Sequence, residues 1–147
     1  MTYLLLRPDL APSLGELFVQ LRAVGDERWF HPHPLTREEA ERVCRYDGQD
    51  IYAALVEDGR VVAYGMLRGW DDGFEVPSLG VAVHPGERGR GLGGLLMQHL
   101  HDEAKRRGAV RVRLTVEREN ERARRLYDAL GYELRERDAH VEGFLTL

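Results

Sequence analysis

Apolar residues Leu10, Leu14, Leu17, Leu21 and Val24 recur every three or four positions, a spacing that predicts a helix with one buried face. Gly25 ends it. Ahead of this helix, Tyr3 to Arg7 reads as a first strand. Thr36 and Glu39 have capping-box spacing, so a second helix runs from Thr36 to about Tyr46, with Cys44 packed in it as a small apolar group. Ile51 to Glu57 and Val61 to Arg68 read as two strands joined by Asp58-Gly59, a pair that tolerates the positive backbone angles of a tight hairpin. After the turn Trp70-Asp71-Asp72-Gly73, Phe74 to Val83 extends the meander, with Pro77 marking an edge or a bulge. A long helix from about Gly91 to Arg107 carries Leu92, Leu95, Leu96, Leu100 and Ala104 on its apolar side and closes at Gly108. Val110 to Val116 alternates apolar residues with Arg111, Arg113 and Thr115, as a strand with unlike faces does. Another helix spans about Asn120 to Leu130 and stops at Gly131, leaving Tyr132 to Glu136 and Gly143 to Leu147 for a terminal hairpin. No repeat or linker divides the chain, which predicts one domain over residues 1–147.

Composition narrows the function classes. With 43% hydrophobic and 31% charged residues the chain is ordinary for a globular protein, so disorder and fibrous architectures do not fit. A net charge of −4 opposes strong nonspecific attraction to nucleic acid or an anionic membrane. The 21 basic residues are 20 Arg and one Lys, a bias we attribute to genomic composition. Cys44 is the only cysteine, so neither an intrachain disulfide nor a cysteine-rich zinc site is expected. Met1 to Leu6 has no basic region before its short apolar run and reads as a strand, not a signal peptide. No apolar stretch approaches the roughly 20 residues needed to cross a bilayer. The expected location is the cytoplasm.

The segment Val81-Ala82-Val83-His84-Pro85-Gly86-Glu87-Arg88-Gly89-Arg90-Gly91-Leu92-Gly93-Gly94 carries the most information, because closely spaced glycines join an apolar strand to a long helix. Glycines let the backbone approach a ligand. Free amides in the first helical turn and the positive end of the helix dipole suit an anionic phosphate, and Arg88 and Arg90 can add charge-assisted contacts. A plain tight turn is the bland alternative. Gly89, Gly91 and Gly94 also fit the dinucleotide pattern Gly-x-Gly-x-x-Gly, with Glu117 in reach as a ribose-binding acid. That reading requires the first glycine to follow its strand closely, whereas His84 to Arg88 intervene here and the preceding strands look antiparallel. A triphosphate P-loop fails because no Gly-Lys-Ser or Gly-Lys-Thr follows.

At this point the chain resembles the GNAT acyltransferase superfamily. Arg88, Gly91 and Gly93 match its motif of Arg or Gln, two arbitrary residues, Gly, one residue, then Gly or Ala. Asn120-Glu121-Arg122-Ala123-Arg124-Arg125-Leu126-Tyr127-Asp128-Ala129-Leu130-Gly131-Tyr132 resembles the second motif, and one helix and one strand separate the two. The resemblance covers about Ile51 to Glu136. It implies an α/β fold with a mixed, mostly antiparallel sheet flanked by helices and splayed between the strands ending at Val83 and Val116. It also implies an acetyl-CoA donor bound by Val81, Ala82, Val83, Arg88, Gly89, Arg90, Gly91, Leu92, Gly93, Gly94 and Asn120, and direct acetyl transfer to an amine. Tyr127 matches the family's general acid, and a bulge near Val83 is implied that aims a backbone amide at the reacting carbonyl. Without the resemblance, Tyr127 reads as a half-buried aromatic and Asn120 as a helix cap.

The general base is the departure. Many family members carry a Glu about where Ser78 stands, and serine is a poor proton acceptor unless activated. Glu75, three residues earlier, is the candidate base acting through water, while Asp71 and Asp72 sit in a turn that borders the acceptor pocket or is merely solvated. His84 before Pro85 reads as a turn residue. His31 and His33 lack the acidic or thiol partners of a metal site, so no metal is expected. The segment Trp29-Phe30-His31-Pro32-His33-Pro34 is either a wall of the acceptor site or a rigid connector. The expected acceptor is a small-molecule primary amine such as an amino sugar, polyamine or amino acid. A protein amino-terminal acetyltransferase and a noncatalytic acyl-CoA sensor are the alternatives. The sequence leaves room for a homodimer and does not set the oligomeric state.

Overall fold

The computed structural model describes all of residues 1–147. In chain order the elements are β1 (Thr2–Leu5), α1 (Ala11–Ala23), α2 (Arg37–Cys44), β2 (Ile51–Glu57), β3 (Arg60–Arg68), β4 (Ser78–Val83), α3 (Leu92–Arg106), β5 (Arg111–Val116), α4 (Glu121–Ala129), β6 (Glu133–Glu136) and β7 (Val141–Thr146). Seven strands form one sheet in the order β1-β2-β3-β4-β5-β7-β6, antiparallel except where β4 meets β5. The local signals act as expected. Thr36 Oγ1 accepts the Glu39 amide at 3.1 Å to start α2, and Asp58 and Gly59 adopt φ 52° and 77° at the β2–β3 turn.

Both faces of the central strands are covered, which is why β2 reads as a nearly continuous apolar run. Ile51, Ala53 and Leu55 pack with Leu96, Met97, Leu100 and Ala104 of α3. Tyr52 and Ala54, pointing the other way, join Leu14, Leu17, Phe18 and Leu21 of α1. Gly65 on β3 lets α3 sit close: a Cβ there would lie 2.9 Å from Leu100 Cδ1 and 3.1 Å from the Gly80 carbonyl.

Three sequence expectations change. The strand expected from Phe74 starts only at Ser78, because Trp70–Asp72 form a 3-10 turn, Phe74 N bonds back to Gly69 O at 2.9 Å, and Pro77 has no N–H for the ladder. The bulge expected near Val83 is not there: β3 and β4 stay in register from Ala63↔Val83 to Arg68↔Ser78, and the irregularity falls between Leu55 and Val56 of β2. The carboxyl-terminal strand begins at Val141, two residues earlier than expected, after a turn closed by Arg137 N to His140 O at 2.8 Å.

The splay itself comes from lost pairing. β4 and β5 are in register at one position only, Ser78↔Arg113, supported by Arg113 N to Pro77 O at 2.9 Å. Beyond it the strands part, so the β4 edge facing β5 has no strand to bond. No helix is long and apolar enough to cross a membrane.

Candidate active site

A cavity of about 390 Å³ opens where β4 and β5 separate. Its walls are Leu79 to Val83, the turn leading into α3, the end of β5, and Asn120, Arg122, Ala123, Leu126 and Tyr127 around α4. Of the expected donor-binding residues, Val81, Ala82, Val83, Arg88, Gly89, Gly91, Leu92, Gly93, Gly94 and Asn120 all line it.

The turn is shaped by conformation. Gly89 and Gly91 have φ 82° and 74°, the left-handed region that side chains rarely adopt, and nothing lies within 4 Å of where a Cβ would stand at either. The first bond of the α3 ladder joins Leu95 N to Gly91 O at 3.1 Å, so the amides of Leu92, Gly93 and Gly94 have no carbonyl four residues back within the helix. These donors and the helix dipole favour an anion. Arg88 lines the cavity and pairs with Asp26, and burial together with repulsion from Arg122 lowers its guanidinium pKa. An anion near both guanidiniums relieves that repulsion. The residues therefore fit a phosphate-bearing ligand whose extended arm runs along the free edge of β4.

Tyr127 lies on the same wall, only 9% exposed. Burial pushes its phenol up to about 12, and no hydrogen bond contributes to the shift. Near neutral pH the hydroxyl therefore keeps its proton. Asn120 Oδ1 accepts the Ala123 amide at 3.3 Å, capping α4, and the residue still faces the cavity.

Two expected residues are not brought in. Arg90 is held outside by Glu57, at 2.8 and 3.1 Å, and by Glu87 at 2.6 Å. Glu75 is exposed in the loop before β4 and lines neither this cavity nor its neighbour, because the strand expected to include it starts only after Pro77. Asp71 accepts hydrogen bonds from the Tyr46 hydroxyl and the Gln49 amide, and thereby fastens its own loop. His84 Nδ1 accepts the Gly86 amide at 3.0 Å, which is a turn role.

A second cavity, of about 410 Å³, meets the first across the parted strands, sharing Trp29, Phe30, Leu79, Gly80, Thr115 and Val116. Trp29 to Pro32 form part of its wall, and Arg68, Ser78, Arg113, Glu117 and His140 supply polar groups. Ser78 Oγ accepts from Arg113 at 3.2 Å, so a cation, not a base, addresses this serine. His33 lies beneath, its Nε2 2.8 Å from the Tyr64 hydroxyl; burial lowers its pKa against the opposing effects of the Pro34 carbonyl and Glu39. The sequence reading gave Arg68, Arg122 and Arg113 no role at a site, and considered Glu117 only as a ribose-binding acid. The alternation of Arg111, Arg113 and Thr115 against Val112, Leu114 and Val116 was the available signal.

The profile of the Acetyltransferase (GNAT) family matches residues 18–132. The L-methionine sulfoximine/L-methionine sulfone acetyltransferase of Salmonella typhimurium is 34% identical over 104 residues, covering 66% of this chain and 61% of that protein. The [ribosomal protein bS18]-alanine N-acetyltransferase of the same organism is 37% identical over 78 residues, covering 53% of this chain and 51% of that protein. This chain thus spans about half to three fifths of the length of these relatives. In fold it is similar to yncA of Salmonella typhimurium, solved with its cofactor acetyl-CoA, at TM-score 0.77 and 22% identity over 99% of this chain and 92% of that one. With the parted strands, the glycine-led helix start and a family match running through both, the chain belongs to the GNAT acetyltransferase family.

Proposed function

We propose that this chain is an acetyl-CoA-dependent N-acetyltransferase acting on the primary amine of a small molecule, with an amino acid, polyamine or amino sugar as the acceptor, by direct attack while both substrates are bound. One observation carries the reading. An amide-rich helix start, an unpaired strand edge and the protonated Tyr127 line a single cavity that meets a second one across the parted strands. Acetyl-CoA, when bound, supplies the activated acyl group. The α3 amides, with Arg88, hold its pyrophosphate, and the free edge of β4 at Val81, Ala82 and Val83 bonds its amide-bearing arm as an added strand would. Backbone amides of that edge also meet the developing oxyanion.

Tyr127 holds a proton at its Oη for the departing thiolate. The proton of the attacking amine leaves through water in the second cavity, and Glu75 serves this route only through solvent, given its exposed position. The bS18-alanine relative favours a second reading, acetylation of a protein amino terminus. A cavity of about 410 Å³ has room for a small acceptor, which is the reading we propose. We place the protein in the cytoplasm, where the buried Cys44 stays a free thiol.

The test incubates the purified chain with acetyl-CoA and a panel of amines and short peptides, following thiol release together with acetylated product. Turnover of small amines without peptides supports the proposal. Peptide turnover alone supports the second reading, and CoA binding without any acetylated product across the panel contradicts both.

A further inference from the structure

The second cavity has a charge pattern that the transfer chemistry does not require. Arg68 and Ser78 are register partners across β3 and β4, and Ser78 and Arg113 across β4 and β5. Directly opposed residues share a face of the sheet, so the three form a row. All three line the cavity. That face is the one carrying Tyr64 and Met66, which pack with α1 and α2, and not the face against α3.

The row carries more positive charge than the fold neutralises. Arg68 is in direct contact with no carboxylate, feeling Glu39 only through space, and its one side-chain hydrogen bond within the chain goes from Nη1 to the Pro32 carbonyl at 3.1 Å. Arg113 donates to Glu142 at 2.9 Å and to Ser78 at 3.2 Å. Glu142 is itself shared with Arg137, at 3.1 and 3.2 Å, so one carboxylate serves two guanidiniums. Both Arg68 and Arg113 are half-buried, where an unmatched charge is costlier than at an open surface. Glu117, the cavity's only acidic residue, lies four residues beyond Arg113, roughly 13 Å along an extended chain. It forms no ion pair.

We propose that Arg68 and Arg113 form a carboxylate-binding subsite, so that the acceptor is an amine that also bears a carboxylate, an amino acid being the simplest case. The proposal rests on the acetyltransferase reading and narrows its substrate class. A guanidinium donates two parallel hydrogen bonds to a carboxylate, and Arg68 has donors free for that purpose. A polyamine brings only positive charge to the arginine row and is repelled.

The experiment compares common L-amino acids with their decarboxylated amines, and with spermidine, on the whole chain at saturating acetyl-CoA. Binding of the same compounds to CoA-saturated protein is measured by calorimetry. The expected result is a kcat/KM at least about 10² higher for the preferred amino acid than for its decarboxylated partner, since a site built to bond a group rejects the analogue lacking it. Arg68→Gln should bring that ratio close to one by raising the amino-acid KM, with the acetyl-CoA KM unchanged. Arg68→Lys, which keeps the charge and loses the fork, should fall between and serves where Arg68→Gln fails to fold. Equal use of amino acid and decarboxylated amine, or an unchanged ratio in both variants, overturns the proposal. If no compound is acetylated, the acetyltransferase reading falls and binding alone decides the subsite: carboxylate-dependent binding lost in Arg68→Gln supports it, and its absence in the wild type overturns it.

Discussion

The two cavities on either side of the parted strands are built in different ways. The first cavity uses main-chain groups from one continuous stretch, β4 through the start of α3, with α4 closing over it. The second cavity is assembled from side chains at Trp29 to Pro32, Arg68, Ser78, Arg113, Thr115 to Glu117 and His140, segments that meet only because the sheet brings them together. Backbone recognition constrains the sequence tightly, because φ values near 74° and 82° call for glycine at fixed positions. Recognition by side chains leaves the choice of residue open, so one family scaffold can serve many acceptors.

The largest effect that would sharpen this contrast is on chemistry common to every acceptor. Tyr127→Phe should fold, bind acetyl-CoA nearly normally and lose about 10² to 10⁴ in turnover, the scale of a positioned acid. The loss should be similar for all acceptors, because Tyr127 lines the first cavity and not the second. A thioester of a more acidic thiol should partly restore the rate. Unchanged turnover under conditions where chemistry is limiting contradicts the role.

That division also explains what the sequence disclosed. The glycine turn, Asn120 and Tyr127 were legible because their spacing is local and each answers a backbone or helix requirement. The order of helices and strands was legible from periodicity, down to the capping bond at Thr36 and the Asp58-Gly59 turn. Arg90 looked equivalent to Arg88 in the sequence, and only the fold shows Glu57, from a distant strand, drawing it away. Glu75 was proposed as a base acting through water on a strand expected to run from Phe74 past Pro77, but Pro77 and the Gly69–Phe74 turn keep that strand from starting before Ser78. The Arg68–Ser78–Arg113 row was hidden because its members are neighbours through register, which no local spacing encodes.

A smaller effect should separate the cavities by pH. Burial depresses the pKa of His33, the residue after Pro32, and so favours its neutral form in the folded protein. Below the ordinary histidine pKa of about 6.5 the unfolded chain takes up the proton more readily than the folded one, so stability present above that pH is lost as pH falls toward the folded value. His101, depressed mainly by burial as well, adds to the same trend. The melting temperature should decline from pH 7 to pH 5, and His33→Gln should flatten the decline. The acceptor KM should rise over this range before the acetyl-CoA KM does. Equal rises in both would break the proposed separation.

The account rests most directly on the α3 start as the phosphate cradle, and calorimetric titration of CoA into the wild type and Gly91→Asp tests it. Asp is among the few residues that visit left-handed backbone, so the variant should fold, while its carboxylate opposes the phosphate where Gly91 leaves open space. The predicted result is CoA affinity weakened by about tenfold or more, the scale of reversing a favourable charge at a helix start. Unchanged CoA affinity in a folded Gly91→Asp, or tighter binding of a nicotinamide dinucleotide than of CoA by the wild type, would contradict the account.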